Sequence, residues 1–414
     1  MKKLVALLLA LTLCIGLCAC GATAEKPAEE TPATTGETET PATDAKDIKV
    51  GFIFLHDENS TYDLNFINAA KAAAAELGLS DDQIMMKTNI AESQACYDAA
   101  AELVDAGCDL VITDSFGHES FALAAAKEFP EVQFVSCTGV KAHTEGLSNF
   151  HNAFASIYEG RYLAGVAAGL KLNEMIENGD ITAEEAKMGY VGAYPYAEVK
   201  SGYTSFFLGA RSICPSVTME VTFTSSWYDE ALEKEAANKL INNGCVLISQ
   251  HADSMGAPTA CETAGVPNVS YNGSTVAACP NTFIVSSRID WTPFFVYAIN
   301  CVASGEDIGY DWTGTLATGS VVLTEVNEQA AAAGTVEKIA EVMKALEDGS
   351  VKVFDTATFT VNGETVTTYL ADVDDLGDYV GETEAISDAV FLESFYRSAP
   401  YFDLDIDGIT NLDA

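Results

Sequence analysis

From residue 48 onward, short apolar runs alternate with amphipathic helical patterns, and this alternation constrains the fold more than any other feature of the chain. The first round contains the strand-like runs "KVGFIFL", "DLVIT", "QFVSC" and "GLSNFH", with helical patterns between them. The second round contains "KMGYVG", "TMEVTF", "CVLISQ" and "NVSYN". Apolar strands that alternate with helices are typical of parallel sheets covered by helices on both faces. The pattern therefore predicts an α/β protein.

Two successive rounds of this kind predict two doubly wound lobes, each with a parallel sheet. A single sheet of about ten strands is the alternative, but open twisted sheets of that size tend to split. We expect the first lobe to comprise residues 48–156 and 286–310, and the second to comprise residues 157–285 and 311–360. Residues 361–414 contain a hairpin signal at Asn362-Gly363 and are predicted to form a C-terminal appendage.

The N-terminus predicts export. "MKKLVALLLALTLCIGLCACGA" has two lysines followed by a short apolar run, which is typical of a signal peptide over residues 1–20. The "LCAC" at its end resembles a bacterial lipobox, so Cys20 is the predicted lipid anchor. An ordinary cleaved signal peptide with incidental cysteines is the alternative. Residues 21–47 have no aromatic residue and are predicted to be a disordered acidic linker. The chain is thus expected on the outer face of the cell membrane, attached through its N-terminal lipid only.

The charge of the chain excludes one class of partner. Its formal net charge is −40, whereas a phosphate backbone requires clustered Lys and Arg. We therefore expect no binding to nucleic acid.

The cysteines and histidines indicate neither a metal site nor a disulfide framework. No CxxC pair is present after residue 47, and most of these cysteines lie in apolar runs such as "CDLVIT" and "CVLIS". This placement is typical of buried free thiols. The five histidines are scattered and none has a partner at zinc spacing, so we expect no metal.

The loops that follow the strands are the place to look for a ligand, because open parallel sheets bind ligands beyond the carboxyl ends of their strands. These loops read "HDENSTYD", "DSFGHE", "CTG", "AYPY", "SSWYDE", "HADS" and "NGS". They contain no GxGxxG and no GxxxxGK[ST] motif, so the sequence supports neither a dinucleotide-binding site nor a triphosphate-binding site. We therefore expect no cofactor.

A catalytic set is not evident in these loops. Ser115 lacks the G-x-S-x-G elbow of the α/β-hydrolases, although histidines follow several strands. Asp57, Asp114 and Asp253 could form a carboxylate group for acid–base work, but helix capping or hydrogen bonding to a neutral ligand is the expected role. The sequence therefore predicts no catalytic residues and no enzyme.

Trp227 directly precedes an amphipathic helix in "SSWYDEALEKEAANKLI" and has two interpretations. It is either part of a hydrophobic staple that sets the entry angle of the helix, or a flat platform at the mouth of a ligand cleft. Asp229 is the predicted N-cap of this helix. The predicted core stripe of the helix is Leu232, Ala236, Leu240 and Ile241.

Several long motifs resemble a known family. "GCDLVITDSFGHE", "IYEGRYLAGVAAG", "GYVGAYPYAEVKSGYTSFFLGARS" and "SWYDEALEKEAA" are similar to segments of the basic-membrane-protein (BMP) lipoproteins, the purine-binding solute receptors of ABC importers. The resemblance covers residues 48 to about 355. It implies the type I periplasmic-binding-protein fold, in which three crossover segments join two lobes around a ligand. It also implies an ABC permease and its ATPase as partners.

The resemblance implies a site between the lobes. Tyr62 and Trp227 would stack on the two faces of a planar ring. Asn272 and Asp253 would form hydrogen bonds with the edges of that ring. The loop at Ser115 would close the pocket from the first lobe. The full set of predicted ligand-binding residues is Asp57, Tyr62, Ser115, Phe116, Gly117, Tyr194, Trp227, Asp253 and Asn272.

The sequence departs from the nucleoside-binding members of the family. In the first loop, "NSTYDLNF" replaces their Asp-Lys-Ser-Phe-Asn segment. Near the third crossover, where those members have a lysine, this chain reads "VSSRIDW". "YNGST" replaces their Asp-Ser-Asp. Asn272 thus stands where a carboxylate would hold ribose hydroxyls. These departures favour a purine base such as adenine, or another flat heterocycle, over a nucleoside. A ligand-sensing lipoprotein coupled to a signalling partner is the alternative to a transport receptor.

Overall fold

The computed structural model describes residues 47–374, 377 and 380–413. The predicted signal peptide, the predicted linker (except Asp47) and Cys20 lie outside the described residues. No helix among the described residues is long and apolar enough to cross a membrane.

The first lobe is built on a six-stranded parallel sheet. Its strands are β1 (Val50–Ile53), β2 (Ile84–Lys87), β3 (Leu110–Thr113), β4 (Gln133–Cys137), β5 (Phe150–Ala155) and β11 (Asp311–Gly314). They lie in the order β11-β5-β4-β3-β1-β2. The accompanying helices are α1 (Thr61–Leu77), α2 (Gln94–Asp105), α3 (Glu119–Glu128), α4 (Ala142–Glu145) and α9 (Thr292–Ser304).

The second lobe is built on a seven-stranded sheet in the order β12-β10-β9-β8-β6-β7-β17. Its strands are β6 (Lys187–Gly192), β7 (Thr218–Phe223), β8 (Leu247–His251), β9 (Asn268–Tyr271), β10 (Phe283–Ile289), β12 (Val321–Leu323) and β17 (Ile409–Asn411). All pairings are parallel except that of β12 with β10. The helices are α5 (Ile157–Asn178), α6 (Ala197–Ile213), α7 (Glu230–Asn242), α8 (Gly256–Ala264) and α10 (Thr335–Glu347). The predicted α/β fold with two parallel-sheet lobes is confirmed.

Two predicted boundaries between the lobes are wrong. Residue 286 was expected to begin the return to the first lobe, but β10 extends from Phe283 to Ile289 and pairs with β9 in the second. Residue 311 was expected to open the second lobe, but β11 pairs with β5 in the first. The chain therefore crosses later than predicted in both places, because these strands complete their pairing before the backbone changes lobe.

The C-terminal stretch, predicted as an appendage over residues 361–414, packs into the core of the second lobe. Phe402 stacks on Phe354 with ring centroids 4.4 Å apart, and both side chains are buried in the core of that lobe. β17 adds a further parallel strand beside β7. Between these contacts lie the short strands β13 (Leu370–Ala371), β14 (Thr383–Glu384), β15 (Ile386–Ser387) and β16 (Val390–Phe391).

The predicted Asn362-Gly363 turn is present. Val361 and Glu364 exchange backbone hydrogen bonds of 2.9 and 3.1 Å across it. Asn362 and Gly363 both adopt positive φ, at 52° and 81°, which is the conformation that a type I′ turn requires.

The motif "IYEGRYLAGVAAG" is explained by the packing of α5 on α6. A Cβ at Gly165 would meet the carbonyl oxygen of Phe206 at 2.0 Å, so only glycine allows the two backbones to approach this closely. Arg161 in the same helix is fully buried, and its Nη2 donates to the Tyr190 hydroxyl at 2.6 Å and to Ser249 Oγ at 3.1 Å. Neutral acceptors and aromatic faces thus replace water around this guanidinium.

The cysteine prediction is confirmed for the described residues. The following are free and buried: Cys96, Cys108, Cys137, Cys214, Cys245, Cys261, Cys279 and Cys301.

Candidate functional site

A small cavity, which we call the interlobe slot, lies between the carboxyl ends of the two sheets and has a volume of about 20 Å³. From the first lobe it is lined by Leu55, His56, Tyr62, Asp63, Ser115, Phe116 and Thr138. From the second lobe it is lined by Glu198, Trp227, His251, Asp253, Tyr271 and Asn272. A volume of this size holds about one water molecule. The lobes must therefore part before a larger molecule can enter.

The two lobes are in contact around the slot. The backbone N–H of Thr61 donates to the carbonyl oxygen of Asp253 at 3.2 Å. Asn65 Nδ2 donates to the carbonyl oxygen of Asn272 at 2.9 Å. The slot is consequently closed by bonds between α1 of one lobe and the strand-end loops of the other.

Trp227 forms an aromatic wall of the slot together with two tyrosines behind it. Its ring is half-buried and meets the Tyr194 ring edge-on, with centroids 5.2 Å apart. Tyr194 in turn stacks on Tyr196 at 5.1 Å with an interplanar angle of 11°. The tryptophan is therefore supported from the side and held at the slot by its neighbours.

Tyr62 lines the slot from the opposite lobe. Its hydroxyl donates to the carbonyl oxygen of Asp114 at 2.7 Å, and its ring packs on Phe66 at 5.0 Å. These contacts fix the plane of the tyrosine ring. Tyr62 and Trp227 thus enter one slot from two lobes.

The helix that follows Trp227 has no hydrophobic staple. Asp229 is the N-cap, as predicted, and its Oδ1 accepts from the N–H groups of Ala231 and Leu232. A staple joins apolar residues immediately before the cap and at the fourth helical position. The fourth position is Glu233, which is acidic. The platform interpretation of Trp227 therefore fits the geometry, whereas the staple interpretation does not.

One residue of the predicted core stripe is wrong. Leu232 is 43% exposed, whereas its neighbour Glu233 is fully buried. The Glu233 carboxylate accepts from the backbone N–H of Ser254 at 3.2 Å and from that of Asp229 at 3.2 Å. These two bonds connect the loop after β8 to the start of α7. They supply partners for the carboxyl group of Glu233, which explains why this acidic side chain, and not Leu232, lies in the interior. Ala236, Leu240 and the half-buried Ile241 lie as predicted.

Three buried carboxyl groups differ in their tendency to ionise. Burial opposes the charge of Asp63, but hydrogen bonds with His56, Asp114 and Ser60 lower the pKa of its carboxyl group. Burial raises the pKa of Asp114 well above its ordinary value, and the neighbouring Asp63 charge adds to this. Burial likewise raises the pKa of Asp253, reinforced by nearby Asp63, Glu233 and Glu198. A protonated carboxyl group both donates and accepts hydrogen bonds, whereas an ionised one only accepts them.

Asn272 and Asp253 meet in the second lobe. Asn272 Nδ2 donates to Asp253 Oδ1 at 3.1 Å, and both side chains are buried. Asp253 also donates its backbone N–H to the carbonyl oxygen of Trp227 at 2.9 Å. The Asn272 amide and the Asp253 carboxyl group are thereby connected to the backbone of Trp227.

The structure brings together at the slot six of the nine predicted ligand-binding residues, namely Tyr62, Ser115, Phe116, Trp227, Asp253 and Asn272. The other three lie beside it. Asp57 Oδ1 accepts from the Asn59 backbone N–H at 3.0 Å and closes a turn. The Gly117 N–H donates to Glu92 Oε1 at 2.9 Å, and Tyr194 supports Trp227 as described above.

Several slot residues were missed by the sequence reasoning. Asp63 and Glu198 lie in the first turns of α1 and α6, where acidic residues usually serve the helix terminus. Thr138 and Tyr271 are at strand ends, which is a signal that could have found them. Glu198 Oε1 lies 3.4 Å from His251 Nε2, and burial lowers the pKa of this histidine.

A cluster of three acidic residues lies outside the slot. The carboxylate oxygens of Asp372, Asp374 and Glu382 lie within 4.8 Å of one another in the C-terminal stretch. Exposed acidic groups of this kind are common without a metal ion.

Three crossovers, at residues 155–157, 289–292 and 314–321, join the two α/β lobes around the slot. This is the fold of the periplasmic type of solute-binding proteins. The structure of a solute-binding protein of an ABC transporter from Aeropyrum pernix K1 is similar, with a TM-score of 0.61, 17% identity and coverage of 74% of this chain and 92% of that one. Residues 53–353 match the family described as ABC transporter substrate-binding protein PnrA-like (Bmp), and the chain belongs to this family.

Two relatives have a higher sequence identity to this chain, at 31% each. A purine-binding protein of Brucella abortus (strain 2308) is 31% identical over 261 residues, which cover 62% of this chain and 69% of the relative. A provisionally named ABC transporter glucose-binding protein of Haloferax volcanii is 31% identical over 217 residues, 52% of each chain. The family implies a small-molecule ligand, a permease partner and an extracytoplasmic location.

Proposed function

We propose that the protein binds a small planar heterocycle, a purine base or a nucleoside, in the interlobe slot and delivers it to an ABC permease. The observation that carries the proposal is the entry of Tyr62 and Trp227 into one slot from opposite lobes. Two aromatic walls favour a flat ring because stacking contributes about 1–3 kcal/mol per base.

The polar groups of the slot support the same ligand class. The Asn272 amide supplies donors and an acceptor, and the buried Asp253 carboxyl group supplies both when protonated. Purine edges alternate donors with acceptors and carry no charge. The purine-binding relative agrees with this assignment.

A thermal unfolding panel tests the proposal. Adenine, guanine, hypoxanthine, their nucleosides and riboflavin are added in turn, and glucose is included because a relative carries that name. A ligand that binds only the folded chain raises the unfolding midpoint, since a concentration of 100 times the Kd stabilises by about 2.7 kcal/mol. We expect at least one heterocycle to raise the midpoint. A rise with glucose alone, or with no member of the panel, contradicts the proposal.

Lipidation and signalling are separate questions. We propose Cys20 as the membrane anchor on the strength of "LCAC" after the apolar run. A ligand-sensing role uses the same lobes, so it is distinguished by neighbouring genes, which would encode a kinase or chemoreceptor in place of a permease and ATPase.

A further inference from the structure

One peptide group of the second lobe is bonded on both of its sides. The carbonyl oxygen of Asp253 accepts from the backbone N–H and from the hydroxyl of Thr61 in the first lobe, each at 3.2 Å. The N–H of the same peptide group belongs to Ser254, and it donates to both carboxyl oxygens of Glu233 at 3.2 Å. A bond between the lobes and a bond to a buried acidic side chain therefore share the Asp253–Ser254 peptide group.

The geometry of a peptide group couples these two bonds. A trans peptide is planar, so its C=O and its N–H point in opposite directions. The acceptor on the N–H side therefore influences where the carbonyl oxygen points. Hydrogen bonds in series also polarise one another, and an ionised acceptor forms the stronger bond. An ionised Glu233 would consequently both orient the Asp253 carbonyl toward Thr61 and make it a better acceptor.

Glu233 is itself held firmly in place. Its side chain is fully buried, and its Oε1 also accepts from the N–H of Asp229, the N-cap of the same helix. Gly256, the first residue of α8, lies directly beside it. A Cβ at Gly256 would lie 2.9 Å from the Cβ of Glu233 and 2.3 Å from the carbonyl oxygen of Glu230. Glycine thus allows α8 to pack closely on α7, and this packing contributes to the burial of the carboxyl group.

On the first-lobe side, the bond comes from the end of a helix. Thr61 is the first residue of α1, and Ser60 is the N-cap. The N–H groups of a first helical turn have no partner within the helix, and the helix dipole places partial positive charge there. The Asp253 carbonyl supplies one of these partners. The strength of the bond between the lobes therefore depends on how this carbonyl is aimed and polarised.

We infer that Glu233 is a positioning residue for closure of the lobes, because it holds the Asp253–Ser254 peptide group in the orientation to which α1 of the first lobe bonds. Glu233 is not one of the described residues that line the slot, so its effect reaches the first lobe through this peptide group. The effect on ligand affinity rests on the proposed function, whereas the effect on closure does not.

Hydrogen exchange at the Thr61 amide tests the inference without any ligand. The exchange rate is measured by NMR at pH 8, where the carboxyl group of Glu233 is ionised, since burial raises its pKa to about 7. Glu233→Gln keeps the shape of the side chain but removes its charge and one of its two acceptor oxygens. We expect exchange at Thr61 to be at least about threefold faster in this variant, although the two residues belong to different lobes.

Glu235→Gln is the matched control, because Glu235 is exposed on the same helix. Its exchange rate at Thr61 should stay within about twofold of the wild-type rate. If Glu233 served only to stabilise α7, Glu233→Gln would lower the free energy of unfolding and leave the Thr61 amide unchanged. The exchange rate thus separates a positioning role from a purely structural one.

A double-mutant cycle tests whether the two residues act on the same carbonyl. Thr61→Val removes the hydroxyl donor and keeps the shape of the side chain. Adenine is titrated calorimetrically at pH 8 into the wild type, Thr61→Val, Glu233→Gln and the double variant. We expect each single change to raise the Kd by about threefold to tenfold, and the double change to raise it by at least about twofold less than the product of the two. With Glu235→Gln in the cycle instead, the effects should multiply.

The outcomes distinguish this inference from the proposed function. Equal exchange at Thr61 in the wild type and Glu233→Gln, or effects of Thr61→Val and Glu233→Gln that simply multiply, would overturn the role of Glu233 and leave the slot intact. Failure of adenine to bind the wild type would count against the proposed ligand, whereas the exchange rates would still decide the role of Glu233.

Discussion

The backbone N–H and the hydroxyl of Thr61 both donate to the carbonyl oxygen of Asp253, each at 3.2 Å, so a residue of the first lobe bonds directly to a slot residue of the second. The bond from Asn65 to Asn272 lies beside this pair. Each such bond contributes about 0.5–1.5 kcal/mol net. Opening of the lobes for ligand entry therefore breaks contacts that are individually weak, and the lobes can separate.

This arrangement predicts a hinge motion. The ligand is expected to enter through an open form that the ligand-free chain populates, because the closed slot has room for only about one water molecule. Ligand contacts made by both lobes stabilise the closed form. Small-angle scattering should show a smaller radius of gyration at saturating ligand than without ligand. An unchanged radius would argue for a protein that is closed in both states.

Glu233 predicts a pH dependence of stability. Burial raises the pKa of this carboxyl group from 4.5 to about 7. The folded chain therefore keeps its proton to higher pH than the unfolded chain, and between pH 4.5 and 7 it binds more protons. The free energy of unfolding consequently falls as the pH rises through this window.

Glu233→Gln removes that dependence. The free energy of unfolding of the wild type minus that of the variant should fall by about 2–3 kcal/mol between pH 5 and pH 8, as measured by urea denaturation. Glu230→Gln is the matched control, since Glu230 is exposed at the start of the same helix and is solvated in both states. A difference that stays constant across the window for Glu233→Gln would show that this carboxyl group titrates alike in the folded and unfolded chains.

We expect the protein to be attached to the membrane through a lipid on Cys20. Cys20→Ala removes the thiol that we propose to be acylated and should move the protein from the membrane fraction to the soluble fraction, because the apolar run alone is short for a membrane span. Cell fractionation with immunoblotting measures this. Undiminished attachment of the variant would exclude lipidation at this residue, and Cys18→Ala serves as the control.

The strands and caps were predictable because their signals are local. Apolar runs marked the parallel strands, Asp229 marked a helix start, and Asn362-Gly363 marked a turn whose conformation those residues favour. Sheet membership was not predictable for β10 and β11, since it depends on pairing with distant partners. The same holds for Phe402, whose burial depends on Phe354 and on no periodic pattern of its own.

The slot was predictable to the extent that its residues follow strands. Trp227, Asp253 and Asn272 lie in the loops that follow β7, β8 and β9, and these loops meet as that rule implies. Glu233 was missed in favour of Leu232 because its burial depends on the Ser254 N–H, which belongs to another loop. Asp63 was missed because its position three residues after Ser60 is that of an ordinary helix-start acid.

The central claim is that Trp227 stacks on a planar ligand ring. Calorimetric titration of the best heterocycle into wild type, Trp227→Ala and Trp227→Phe tests it most directly, with Leu232→Ala as an exposed control on the adjoining helix. Removal of the ring should cost about 1–3 kcal/mol of binding free energy, a fivefold to about 150-fold rise in Kd, because one face of the ligand loses its partner. Trp227→Phe should recover most of the affinity, and Leu232→Ala should leave it unchanged. A folded Trp227→Ala variant that binds with the wild-type Kd would contradict the account.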